Sequence, residues 1–256
     1  MSQLLQAMAI KSACEHWRRL KPYCMGELYW QLNDIWPGPS WSSMDSLCNW
    51  KLLQYFSKKF FAPILLCAFE EEEVYTAYVT SDVNHEFSGK VVIDIWSFSP
   101  AKIWKTVVVE GIRLSPLQSL RVWHLPVKEL FGETSPHHQR NSFMILKLFS
   151  DSGNLVSENV FHFSPLKYVE LPKPNFRTSL HRGHQENLEE ISFSIHSDHI
   201  LPYTCISTNI PGTFSENGFW VMPGEEKHIT FKSWRKFSRK EFEDQLHVVP
   251  LQHTYL

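Results

Sequence analysis

Three tryptophans lie close together near the start of the chain, among side chains that form hydrogen bonds. Trp30, Trp36 and Trp41 stand in one segment with Asn33 and Asp34. Aromatic faces cover the apolar C–H surfaces of a pyranose ring, while amides and carboxylates bind its hydroxyls. Large aromatic side chains also dominate core burial, so composition by itself favours a core assignment. The residue order instead favours a sugar-binding surface, because a short apolar run leads directly into a polar, proline-containing turn.

That order predicts a buried parallel strand over residues 24–32, and barrel active sites lie where such strands end. Apolar residues at helical spacing predict one helix over residues 2–20 and a second over residues 49–61, each followed by a proline. One strand and two helices cannot close a barrel or cover both faces of a parallel strand. Residues 1–63 are therefore expected to be the end of a larger α/β unit.

After residue 63, β-branched and aromatic runs alternate with turn-rich segments, which is typical of antiparallel sandwiches. The first set of predicted strands covers residues 74–79, 90–98, 102–112, 119–124, 143–149 and 155–163. The second set covers residues 175–181, 190–196, 202–208, 219–222 and 226–232, with 247–251 as a closing strand. A helical turn is expected over residues 127–131, a linker at the acidic run 70–73, and a boundary in the proline-rich segment 165–174.

Composition excludes several functional classes. A formal net charge of −2 argues against broad attraction to nucleic acid or anionic lipid. No apolar run is long enough to span a membrane, and residues 1–20 lack the pattern of a signal peptide. The five cysteines contain no CxxC pair, which argues against a zinc site or a disulfide framework. His137 and His138 have no partner cluster in the sequence, so no metal and no cofactor are expected.

Residues 28–37, Leu-Tyr-Trp-Gln-Leu-Asn-Asp-Ile-Trp-Pro, closely resemble the β-mannosidases of glycoside hydrolase family two. The similarity continues through residues 40–43 and 50–56. A weaker motif, residues 214–219 followed by 223–225, is similar to the terminal sandwich of these enzymes and is shared by related family members.

The resemblance implies a position in a larger architecture of two N-terminal sandwiches, a (β/α)8 catalytic barrel and two C-terminal sandwiches. Residues 1–63 would be the last helix-strand-helix of a truncated barrel. Residues 64–165 and 166–256 would be two immunoglobulin-like β-sandwiches, which makes the expected fold mainly β. The sequence is compatible with three origins of this chain: a fragment, a truncated gene model or a genuine short protein.

The resemblance also implies retaining hydrolysis of terminal non-reducing β-D-mannose residues, which requires one glutamate as acid/base and another as nucleophile. In the family these lie in Asn-Glu and Ser-Glu-Phe/Tyr-Gly segments, and this sequence contains neither. No catalytic residue is therefore expected, and the chain alone is expected to be inactive.

Substrate contacts can be carried over from the resemblance. It implies that Trp30 is an aromatic wall for the terminal mannose, with Asn33, Asp34 and Trp36 as further candidates. Asp34 fits a role in bracing the following loop equally well. The other aromatic residues of the matching segments are expected in the core, namely Trp41, Trp50 and Tyr55.

The alternative function is a non-catalytic carbohydrate-binding or interaction module. The expected partner is a β-mannoside oligosaccharide, and the oligomeric state is open. Complete enzymes of this kind include lysosomal ones, whereas the sequence as given predicts a cytosolic location. An isolated barrel end would expose a strand whose neighbours are missing, and such edges recruit other chains. Residues 1–63 are therefore expected to be poorly supported, while the two sandwiches are expected to fold.

Overall fold

The structure, a computed structural model, describes residues 1–132, 136–181 and 186–254. Contacts between residues group the chain into two compact units. Unit I contains Met1–Ile10, Tyr29–Phe56 and Leu171–Leu256, and unit II contains Lys11–Leu28 and Ser57–Glu170. The domain boundaries expected after residues 63 and 165 stay predictions.

The described residues form five α-helices and fourteen strands. Helices α1 to α5 span Ser2–Arg19, Leu52–Phe60, Val127–Phe131, Pro136–Arg140 and Arg239–Gln245. Strands β1 to β7 span Ile64–Glu71, Val74–Ser81, Phe87–Ser97, Lys102–Leu114, Ser119–Pro126, Ser142–Ser150 and Leu155–His162. Strands β8 to β14 span Phe176–Leu180, Leu188–Ser197, Leu201–Ser207, Gly212–Phe214, Phe219–Val221, Glu226–Phe237 and His247–Val249.

Unit II is a sandwich of two antiparallel sheets. One sheet has the strand order β1-β2-β5, and the other has the order β4-β3-β6-β7. Alternate residues of both sheets meet in one apolar core, which includes Leu66, Val79, Ile93 and Leu146. This arrangement follows from the period-two spacing of apolar residues, since successive side chains of a strand point to opposite faces.

Unit I is built around a second pair of sheets. Their strand orders are β11-β13-β9-β8 and β12-β10-β14. Phe193 and Phe231 lie in the core of this unit, together with Tyr55 from α2 and Phe242 from α5. The side chain of Ser238 caps α5 by accepting a hydrogen bond from the Glu241 amide at 3.1 Å.

The predicted β-strands after residue 63 all overlap observed strands, and the predicted turn of helix at Val127–Phe131 is present. Strands β1 and β11 were not predicted, nor were helices α4 and α5. The expected linker at Glu70–Glu73 is wrong, because this run forms the end of β1 and a tight turn into β2. Glu72 and Glu73 have φ angles of 51° and 60°, as a two-residue hairpin turn requires.

The predicted parallel strand over residues 24–32 is also wrong. This segment is irregular, and Leu28 and Trp30 are 98% and 73% exposed. A parallel strand forms only with a hydrogen-bonded neighbour, usually covered on both faces. Among the described residues the nearest equivalent is a single isolated parallel bridge between Asn33 and Met44. The apolar run therefore has no sheet to join.

Candidate functional site

The loop that carries the candidate sugar contacts is organised by hydrogen bonds around Ser43, which is fully buried. The Ser43 amide lies 3.1 Å from both the Gln31 and the Leu32 carbonyl oxygens. Its hydroxyl lies 2.9 Å from the Leu32 carbonyl oxygen, 2.7 Å from the Gln54 amide oxygen and 2.9 Å from the Tyr29 hydroxyl. Backbone and side chain of one small residue thus fix the path of residues 29–32.

A second cluster of hydrogen bonds surrounds the Asp34 carboxylate, which is 9% exposed. The Ser40 hydroxyl donates to one carboxylate oxygen, and Lys51 Nζ lies 3.0 Å from the other. Lys51 Nζ also donates to the Ser42 hydroxyl at 2.7 Å. The Ser42 hydroxyl in turn donates to the Met44 carbonyl oxygen at 2.6 Å.

These contacts determine the protonation state of Asp34. The hydrogen bond from Ser40, followed by that from Lys51, lowers the pKa of the Asp34 carboxyl to about 2 against the opposing effect of burial. The group is therefore anionic at neutral pH, and its contacts are with the loop itself. The structure thus places Asp34 in the bracing position that was one of its two predicted roles.

The other three candidate residues are on the surface of unit I. Trp30 is 73% exposed and Trp36 is 69% exposed. Asn33 is exposed as well, and its side-chain amide donates to the Asp34 carbonyl oxygen at 3.2 Å. The loop therefore presents two aromatic rings and an amide to solvent, on a backbone that buried side chains hold in place.

The expected core position of Trp41 is wrong, since this residue is 61% exposed. The buried positions next to it are taken by Ser42 and Ser43, whose hydroxyls are satisfied inside the loop. Gln6 binds the Trp41 carbonyl oxygen at 2.7 Å, so the backbone is fixed although the ring is exposed. By contrast, Tyr55 is in the core of unit I, and Trp50 packs partly buried against that core.

Three important residues were missed by the sequence reasoning. Ser42, Ser43 and Lys51 were seen as parts of a family motif, but no structural role was derived for them. The available signal was the run of small hydroxyl residues beside Asp34, because such residues bond to nearby backbone and carboxylate groups.

Two glutamates outside the loop, Glu15 and Glu216, are engaged in structural contacts. In unit II the buried Glu15 carboxylate lies 3.0 Å from Lys11 Nζ and accepts from Asn159 Nδ2 at 2.6 Å. In unit I a Glu216 carboxylate oxygen lies 2.5 Å from Lys227 Nζ. Each glutamate thus belongs to its own structural ion pair, Glu15 with Lys11 and Glu216 with Lys227, and the two do not form a catalytic pair.

No metal-binding cluster is present among the described residues, in the sense of three or more His, Cys, Asp or Glu side chains that could surround an ion. The side chain of His137 lies outside the part of the chain that is described. No helix within the described ranges is both long enough and apolar enough to cross a membrane.

Two families of known protein domains match the two β-rich regions of the chain. A family model described as a Mannosidase Ig/CBM-like domain matches residues 73–168, and one described as an Ig-fold domain of mannosidases matches residues 171–254. Over its whole length the chain is 32% identical to a β-mannosidase of Capra hircus and 30% identical to that of Mus musculus. The chain belongs to the β-mannosidase family. It spans 30% of the length of these relatives.

Solved structures agree with this assignment. A β-D-mannosidase of Dictyoglomus thermophilum superposes with a TM-score of 0.77 at 25% identity, over 98% of this chain and 29% of that one. An exo-chitosanase of Amycolatopsis orientalis gives a TM-score of 0.65 at 14% identity, over 97% of this chain and 34% of that one, and so shares the fold. The predicted family, and a mainly β fold with immunoglobulin-like domains, are confirmed.

Proposed function

We propose that this chain acts as part of a retaining β-mannosidase that removes terminal non-reducing β-D-mannose residues from oligosaccharides and glycoproteins. The proposal is supported by similarity to β-mannosidases along the whole chain. At the level of single residues, the proposal is supported by the exposed Trp30 ring, which lies on a loop fixed by the buried Ser43.

Each candidate residue receives a distinct role in this proposal. Trp30 covers an apolar face of the terminal sugar ring, and Trp36 extends the aromatic surface. Asn33 offers an amide to the sugar hydroxyls, since an amide both donates and accepts. Asp34 is a positioning residue, because its carboxylate holds Ser40 and Lys51 rather than facing outward.

Residues 1–256 do not supply the acid/base or the nucleophile in this proposal. Retaining glycosidases place two carboxyl groups about 5 Å apart, one on each side of the scissile bond. Glu15 and Glu216 are bound in ion pairs instead, and neither glutamate motif occurs in the sequence. The chain is therefore proposed to bind sugar without hydrolysing it.

Hydrolysis is tested with the purified 256-residue chain and a chromogenic aryl β-mannoside. We expect no release of chromophore above the buffer rate over pH 4 to 8. Turnover that follows enzyme concentration and survives further purification would contradict the proposed division of roles, because it would require a carboxylate pair within these residues.

Sugar binding is tested by tryptophan fluorescence during titration with mannose and mannobiose. We expect a saturable change that is smaller in Trp30→Ala and retained in Trp41→Ala. Trp41 is the matched control, since its ring is similarly exposed on the same loop but was not assigned to the sugar site. An equal response in native chain and Trp30→Ala would remove Trp30 from the site.

The alternative function, a non-catalytic carbohydrate-binding module, is favoured by one observation of its own. The family model over residues 73–168 is described as Ig/CBM-like, that is, similar to carbohydrate-binding modules. Both functions share a β-mannoside oligosaccharide as the proposed partner. Lysosomal location is proposed for the complete enzyme only.

A further inference from the structure

Unit II carries a cavity of about 450 Å³ that lies outside the loop proposed to bind the terminal mannose, and a ligand there would give the alternative carbohydrate-binding function a site. It lies beside the turn between β3 and β4, at the start of β6. Its lining includes Ser99, Lys102, Trp104, Phe131, His138 and Asn141. The volume is within the range of about 300–1,000 Å³ that small-molecule sites occupy.

Trp104 reaches this cavity because of an irregularity in its strand. Ile95 of β3 pairs with Lys105, but the next residue, Trp96, pairs with Ile103. Trp104 is therefore the extra residue of a β-bulge, and bulges redirect side chains near binding sites. Its ring is 40% exposed and lies 5.9 Å, centroid to centroid, from the Phe131 ring.

Phe131 anchors this aromatic wall to the body of unit II. It packs partly buried against the apolar core, and Gly132 ends the helix directly after it with a φ of 67°. Trp104 is not among the residues of that core cluster. An indole that is held on one side and open on the other is suited to covering the face of a flat, partly apolar ligand.

Polar groups stand beside the aromatic wall. Asn141 donates from Nδ2 to the Ser99 carbonyl oxygen at 2.7 Å, which fixes the amide at the cavity. The Ser142 hydroxyl donates to the His138 carbonyl oxygen at 2.7 Å and so supports the adjoining backbone. Lys102 is exposed and offers three ammonium donors.

From this combination we infer that the cavity of unit II is a second sugar site, which binds a neutral pyranose ring against Trp104. The indole covers the C–H face of the ring, and Asn141 and Lys102 bond to its hydroxyls. The site is non-catalytic. It does not rest on the proposed role of Trp30, because none of its lining residues belongs to the loop that carries Trp30.

The test follows NMR signals of the isotope-labelled full chain during titration with methyl β-D-mannopyranoside up to about 50 mM, a range suited to weak single-sugar binding. We expect saturating shifts of the Trp104 indole N–H and of the Asn141 side-chain amide. The same shifts are expected in Trp30→Ala, so failure of the proposed function and failure of this site are separable.

Two substitutions test the aromatic wall. Trp104→Ala should weaken binding at least about tenfold, measured at the Asn141 amide, while Trp104→Phe should retain most of it. Ile103→Ala is the matched control, since Ile103 is 43% exposed next to Trp104 but does not line the cavity. Thermal unfolding of each variant shows whether a loss of binding is a loss of folding.

Three results would overturn the inference. The first is an absence of shifts at both reporters in the native chain. The second is native-like binding by a folded Trp104→Ala chain. The third is binding of glucuronic acid without binding of the neutral sugar, which would make the cavity an anion site centred on Lys102.

Discussion

At the scale of single residues, Asp34 shows how a polar side chain can serve a sugar site without touching the sugar. Its two carboxylate oxygens hold Ser40 and Lys51, and these residues hold the loop that exposes Trp30 and Trp36. Removal of such a brace should alter the loop before it alters any direct contact with ligand. The effect should also depend on pH, because the brace requires an ionised carboxylate.

Asp34→Asn is expected to destabilise the loop most at neutral pH. The native pKa of about 2 lies below the usual value of about 3.9 for aspartate. The carboxylate therefore contributes its full stabilisation above about pH 4 and loses it as the pH falls toward 2. The difference between native chain and variant, measured as protection of the Asp34 and Met44 amides, should shrink over that interval.

Ser40→Ala provides the control for this assignment, since Ser40 is the largest cause of the lowered pKa. The Asp34 carboxyl, followed by carbon NMR, should titrate at a higher pH in this variant. An unchanged titration would show that Ser40 does not hold the carboxylate and that Lys51 and Ser42 lower its pKa without it.

Residue types in this loop predicted the available chemistry but not the exposure of each side chain. Trp41 and Tyr55 both belong to matching family segments, yet one is 61% exposed and the other 5%. Beside Trp41 the buried positions belong to Ser42 and Ser43, whereas the Tyr55 ring packs into the core of unit I. That information is not carried by the type of a residue or by its position in a motif.

At the scale of elements, the sequence predicted most strands of unit II from their alternating apolar runs. The alternating runs of unit II form hairpins and a central strand, β6, between β3 and β7. Residues 24–32 have an equally apolar pattern but no hydrogen-bonded sheet among the described residues. The local pattern of apolar residues therefore shows which segments could form a strand, whereas hydrogen bonding to a neighbouring strand decides whether one forms.

Hydrogen exchange should separate these two cases. The amides of Phe143–Phe149 are expected to exchange slowly, because β6 is paired on both sides. The amides of residues 28–32 are expected to exchange at nearly the rate of unstructured chain, since this segment is irregular and largely exposed. Equal protection of the two segments would contradict the unpaired state of residues 28–32.

A buried arginine connects three elements of unit II. Arg18, near the end of α1, is 2% exposed and donates to the Phe60 carbonyl oxygen at the end of α2. It also donates to the Ala62 carbonyl oxygen at 2.7 Å and to Asp82 Oδ2 at 2.6 Å. A planar guanidinium presents five donors in a fixed fork, which suits three acceptors that lie on different segments.

Arg18→Met should therefore lower the free energy of unfolding by about 2–4 kcal/mol, because two carbonyl oxygens and a carboxylate lose their donor. Arg18→Lys should lose less, since the charge beside Asp82 is retained. Lys21→Met is a milder control, because it leaves Arg18 bound to Asp82. Denaturant unfolding of the three variants measures this order, and equal losses would contradict the role of the guanidinium geometry.

At the scale of the whole molecule, the described residues form one apolar core in each of the two units. The first core draws on all seven strands β1 to β7 or their flanks, and the second draws on α2, α5 and strands between β8 and β14. The sequence predicted two strand sets from their spacing and from the prolines between them. It could not predict that α2 contributes Tyr55 to the second core, since that contact joins residues far apart in the chain.

The two units also carry different titrating groups. In unit II, burial and then the charge of Lys11 lower the pKa of His162 to about 3 from a usual value near 6.5. Below pH 6.5 the unfolded chain binds a proton at His162 that the folded chain does not accept until about pH 3. Stability of unit II should therefore fall over this interval, by up to about 1.4 kcal/mol per pH unit.

In unit I the braced Asp34 loses its contribution only below about pH 4, so acid should weaken unit II first. We expect the amides of β6 to lose protection between pH 6.5 and 4, while those of β9 in unit I change less. His162→Gln removes the titrating group and should flatten the response of β6 alone. If the native chain and this variant lose protection in parallel, protonation of His162 is not the cause of the acid sensitivity of unit II.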